Sequence, residues 1–187
     1  MTAIGIGAGL QAAWLLARGR ADGVRLLAVE PAQEMTLAAR SFWAAPLCLP
    51  ALVCLHLIGW AEGGGGPLAV RGFIADLLGF TIGWVGFALL THRVAAALGR
   101  APLWPRFIAA WNWCSLIQYL MLVVASLPGL LGAPDLVAQT AWLAAMGWAL
   151  WLEWFATRLT LALSPGMAAA LVGLDVSLGL MLMSLIR

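Results

Sequence analysis

Apolar residues in this chain gather in five long blocks, roughly residues 41–60, 69–91, 107–128, 136–158 and 166–186, rather than in the stripes of an amphipathic soluble fold. About 20 apolar residues in helical conformation cross a hydrocarbon core of about 30 Å, so each block predicts a transmembrane helix. The links are rich in helix breakers: Gly63 to Gly66 with Pro67, Gly99-Arg100-Ala101-Pro102 with Pro105, Pro128-Gly129 with Pro134, and Ser164-Pro165-Gly166. Links this short force antiparallel neighbours and leave no room for a soluble domain. The pattern therefore predicts an all-α, polytopic bundle of five spans over residues 41–187, preceded by an N-terminal segment, residues 1–40.

Composition reinforces that class. The 187 residues are 64% hydrophobic and 10% charged, with a mean hydropathy of +0.98. Such a chain has too little polar surface to cover a water-soluble globule. All ten basic residues are arginine, an Ala/Gly/Arg/Trp-rich usage that suggests a GC-rich bacterial gene and hence the inner membrane. With helix one entering from the N-terminal side, Arg18, Arg20, Arg25, Arg40, Arg93, Arg100, Arg106 and Arg158 fall on one membrane face, and Arg71 and Arg187 on the other. The positive-inside rule then predicts a cytoplasmic N-terminus. Trp43, Trp60 and Trp104 sit near predicted boundaries, where an amphipathic indole is comfortable. Scattered arginines and a net charge of +2 offer no footprint for nucleic acid.

The stretch Ile4 to Ala17 is uncharged but short, is loosened by Gly5, Gly7 and Gly9, and carries its arginines after the apolar part. A secretory signal has the opposite polarity. Length favours an interfacial helix with Trp14 and Leu15 among the headgroups over a sixth span. A sixth span would put the N-terminus outside and leave every other orientation unchanged. Residues 18–40 form a cytoplasmic segment in which Glu30-Pro31 begins an amphipathic lead-in to helix one.

Polar groups inside the blocks carry the functional information. In helix two, Gly72, Asp76, Gly79, Gly83 and Gly86 fall within about a quarter-turn at 100° per residue, a packing face that lets another backbone approach closely. Asp76 on that face needs a proton or a donor. Asn112, Ser115, Tyr119 and Ser126 share a stripe on helix three, with Gln118 off it. On helix four, Glu153 and Arg158 point about 140° apart. Arg158 can snorkel to cytoplasmic headgroups, while Glu153 needs a partner from another helix. Asp175 lies near the middle of helix five. Asn112, Glu153 and Asp175 all fall in the inner half or near the midplane, and together they form a candidate polar pocket. Two carboxyls there would share a proton or bind a cation; the alternative is a structural polar knot.

Catalytic and metal signatures are missing: the chain has no HExxH, GxSxG or P-loop, and Gly173-Leu174-Asp175 lacks the second glycine of intramembrane aspartyl proteases. His56 is expected to hydrogen-bond within the bundle and His92 to lie in the cytoplasmic loop beside Arg93. Cys48, Cys54 and Cys114 sit in apolar runs without a CxxC and read as free thiols. The string Trp104-Pro105-Arg106-Phe107-Ile108-Ala109-Ala110-Trp111-Asn112-Trp113, with Glu153-Trp154-Phe155 and Leu174-Asp175 on the five-span plan, resembles bacterial Yip1-like membrane proteins over residues 35–187. Asp76-Leu77-Leu78-Gly79 keeps the outline of the Asp-Leu-Tyr-Gly motif without its tyrosine. The resemblance implies a small helical membrane protein with no known catalytic chemistry. These readings converge on a non-catalytic accessory or scaffold that needs no cofactor or metal and associates in the lipid bilayer with other membrane subunits or with itself. The alternative is a small transporter or ion/proton conduit built on the polar pocket.

Overall fold

The computed structural model describes residues 6–63 and 70–186. The Gly64 to Pro67 part of the first link, the side chain of Arg71, and Arg187 lie outside what it describes. Among the described residues the chain is helical throughout: α1 (Ile6–Ala17), α2 (Asp22–Leu26), α3 (Pro31–Ser41), α4 (Ala44–Glu62), α5 (Val70–Ala97), a short 3-10 turn (Ala101–Leu103), α6 (Trp104–Leu130), α7 (Asp135–Thr160) and α8 (Pro165–Ile186). Four stretches combine the length and apolarity needed to cross a membrane: Pro31–Glu62, Gly72–Ala97, Ala101–Leu130 and Pro165–Leu185. α7 matches its neighbours in length, with 26 residues, but four tryptophans, Gln139, Thr140 and Glu153 dilute its apolar run.

Proline and glycine set most of the helix boundaries. Glu30 is held extended (φ −59°, ψ 146°) by the proline that follows it, and Pro31 opens α3 where its missing N–H costs nothing. Pro46 explains the joint between α3 and α4. It has no N–H to offer the Phe42 carbonyl, which instead accepts from Ala45 N at 3.1 Å, a tighter turn that interrupts an otherwise continuous helix. α5 runs to Ala97, six residues beyond its predicted end at residue 91, so His92 is helical rather than in the cytoplasmic loop. Its ring meets Trp104 edge-on at 4.9 Å, which holds the start of α6 against the last turns of α5.

α5 and α7 end alike, with one decisive difference. At α5, Gly99 takes φ +67° and Arg100 N donates back to Ala95 O at 2.7 Å, closing the end of the helix. At α7 the equivalent bond, Leu163 N to Arg158 O at 3.1 Å, needs a left-handed residue at 162, and that residue is alanine, at φ 50°. A Cβ there costs about 1 kcal/mol relative to glycine. Ala162→Gly is accordingly expected to stabilise the protein by about 1 kcal/mol, seen as a raised unfolding midpoint in mild detergent; an unchanged or lowered midpoint would contradict the strain.

α6 is the axis of the molecule. From Phe107 to Leu116 every residue is buried, because α1 and α3 cover one flank of this half while α4 and α7 cover the others. The 12 described residues of α1 cover about 18 Å at 1.5 Å per residue. Ala12, Ala13 and Leu16 turn inward and Trp14 outward. Gly9 lies so close to the Trp113 indole that there is no space for a Cβ. Arg106 Nη2 donates to Glu34 Oε1 at 3.3 Å, tying the start of α6 to α3.

Candidate functional site

α7 buries Leu152, Glu153, Ala156 and Thr157 on its inner face, and α8 brings Asp175 to the same level. Glu153 and Asp175 are near neighbours, with Trp111 of α6 beside them. Carboxylates can only accept, so a direct bond between these two acids would need a proton or a cation between the oxygens. They open on a cavity of about 430 Å³ walled by α5, α6, α7 and α8, with Leu52 of α4 at its edge. Among its lining residues are Asp76, Trp84, Trp111 and Tyr119.

Aromatic rings frame this space. Phe80 packs on Trp84 at 5.0 Å and on Tyr119 at 5.6 Å, and Trp84 meets Trp111 edge-on at 5.1 Å. Glu153 is 6% exposed and Trp84 is 5% exposed, yet Glu153 Oε1 and Trp84 Nε1 have no hydrogen-bond partner. Buried polar atoms are ordinarily paired, so two orphans on residues that line one cavity are unusual.

The sequence-derived pocket is thus assembled in part. Glu153 and Asp175 come together, but Asn112 does not join them. It lies toward α3, where its Nδ2 donates to Ser41 Oγ at 2.7 Å and Ser41 in turn donates to Ala38 O at 2.6 Å. Asn112 therefore braces the α3–α4 joint against α6. Gln118, read as off the polar stripe, does line the cavity, where it donates to Ala149 O at 2.7 Å.

Asp76 has found its partner in His56, with Nδ1 and Oδ2 2.8 Å apart, so the C-terminal half of α4 and the N-terminal half of α5 are bridged by an ion pair or a neutral hydrogen bond. On the glycine face, Asp76, Gly79 and Gly83 line the cavity. A Cβ on Gly83 would stand 3.5 Å from Leu182, and one on Gly86 3.7 Å from Leu178, so this part of the face lies against α8. Gly72 is partly exposed near the start of α5. Arg158 is exposed, and its guanidinium sits 5.5 Å from the Trp154 ring. A second cavity, of about 590 Å³, lies between the far ends of α4, α6 and α7 and is lined by Glu62, Ser126 and Gln139.

Sequence reasoning missed Trp84, Trp111 and Tyr119 as walls of a common site. Their signal was present, since Trp111, Ser115, Tyr119 and Leu122 recur at helical spacing on one face of α6. No protein-family model, curated protein or solved structure matches the chain.

Proposed function

We propose that this chain is a small transporter or conduit for protons or cations, working through the Glu153–Asp175 cavity. The observation that carries the reading is that two acids from neighbouring helices, Glu153 and Asp175, line the same cavity. Intramembrane acids are costly, and those that face a cavity mark ion and proton paths. Along the helices at 1.5 Å per residue, Glu153 lies about 10 Å, Asp175 about 15 Å, Tyr119 about 22 Å and Asp76 about 31 Å from one end of the bundle. Groups able to carry a proton thus step through most of the thickness, and the cavity has room for several waters between them. The accessory role draws on lipid-facing apolar surface, which every membrane protein exposes; the acid pair is particular to this chain.

In this reading α4 to α8 are the five spans, with α7 crossing by virtue of its length and its place between α6 and α8. α1 lies at the cytoplasmic side, and the protein resides in a bacterial inner membrane with its N-terminus in the cytoplasm. A cysteine introduced in the Gly99–Arg106 link should label from the cytoplasmic side and one in the Gly129–Asp135 link from outside. The reverse pattern would overturn the orientation.

Conduction is tested in liposomes holding a trapped pH-sensitive dye. With an inside-negative potassium diffusion potential, wild-type vesicles should acidify faster than empty ones. Asp175→Asn, which keeps shape but cannot titrate, should return the rate to background at an unchanged melting temperature. Equal acidification with wild-type protein and with none would remove the conduit reading.

A further inference from the structure

We infer that the same cavity accepts a protonated amine with an apolar body, its ammonium N–H donating to the Glu153 carboxyl. The inference rests on reading the cavity as a cation site and adds the class of cation. A bare metal ion would be poorly served here, because most of the walls are hydrocarbon and aromatic ring rather than a shell of oxygens. A volume of 430 Å³ falls within the range of about 300–1000 Å³ typical of small-molecule pockets.

Charge and hydrogen bonding define the ligand further. The cavity lining holds three acids, Asp76, Glu153 and Asp175, and no Arg, Lys or His. Asp76 is already bonded to His56. With no basic side chain on the lining to neutralise Glu153 and Asp175, an ammonium is the complementary charge. The Glu153 carboxyl has an acceptor, Oε1, with no donor; it lies beneath the cavity wall, and a turn of the carboxyl about its last bond presents an acceptor to a ligand N–H. The rings of Phe80, Trp84, Trp111 and Tyr119 supply an apolar wall and faces suited to a cation.

The test uses the full chain in lipid nanodiscs and titration calorimetry, with empty nanodiscs as the control for partitioning. The first probe is N,N-dimethyl-3-phenylpropylamine, protonated at neutral pH. The second is its N-methylated quaternary ammonium, equal in charge but without the N–H. The tertiary amine should bind about tenfold more tightly than the quaternary ion, as expected for a charge-assisted hydrogen bond in a buried site. Glu153→Gln should remove that preference.

Equal affinity for tertiary and quaternary probes would overturn the inference, and that comparison needs no variant to fold. Acidification by wild-type vesicles with no amine bound in nanodiscs would reject the amine and leave the conduit standing. Amine binding without any potential-driven acidification would do the opposite.

Discussion

Replacing Glu153 and Asp175 together by leucine should restore or exceed wild-type stability, whereas either single replacement should cost about 3 kcal/mol. The asymmetry follows from what each variant leaves behind. In the single variants one buried acid faces a hydrocarbon side chain and has lost the neighbouring carboxyl. In the double variant both desolvation costs vanish and the added leucines fill part of the 430 Å³ cavity. A double-mutant cycle, measured by reversible unfolding in mild detergent or by steric trapping in bicelles, reads the coupling directly. Additive effects of the two substitutions would show that the acids do not act as a pair. The double variant should also be inert in the acidification assay, which separates stability from function: a more stable protein that no longer conducts is the expected signature of a site maintained for its chemistry.

Gly9→Val should release α1 from the bundle at a cost of about 2 kcal/mol. The Trp113 indole occupies the space a β-carbon at residue 9 would need, and Trp113 is itself 3% exposed in the covered half of α6, so neither partner can retreat. α1 is also held by the buried Ala12, Ala13 and Leu16, while its outer face, including Trp14, is exposed. Release is measurable by limited trypsinolysis at Arg18, Arg20 and Arg25, which should proceed several-fold faster in the variant. Gly7→Val is the matched control, because a β-carbon there meets nothing within 4 Å. Similar cleavage rates for wild type and Gly9→Val would mean that α1 is not held by this contact.

Much of the architecture was legible one residue at a time. Blocks of apolar residues separated by Gly and Pro anticipated α4 to α8 to within a few residues at most ends, because a buried or lipid-facing backbone must satisfy its own hydrogen bonds and does so as helix until a breaker intervenes. The exceptions have local causes. α5 overran its predicted end because His92 and Arg93 are compatible with helix, and only Gly99, at φ +67°, stops it. Among the described residues four stretches pass as spans on length and apolarity; α7, as long as its neighbours, falls short of that mark because tryptophan, long and amphipathic, weighs little on a hydropathy scale.

The amino-acid sequence by itself determined that this protein is helical, that it carries long apolar spans, and which of its acids are anomalous, since each of these follows from side-chain chemistry and spacing along a single helix. Only the tertiary structure decided which polar groups meet. Asn112 and Tyr119 lie on the same stripe of α6, yet Asn112 bonds Ser41 of α3 while Tyr119 faces the cavity, a difference set by which neighbouring helix stands at each height. Likewise Asp76, Glu153 and Asp175 come from three helices, and their common cavity depends on how α5, α7 and α8 lean on α6. Rotation of a helix about its axis is fixed by packing against its neighbours, which periodicity within one helix does not encode.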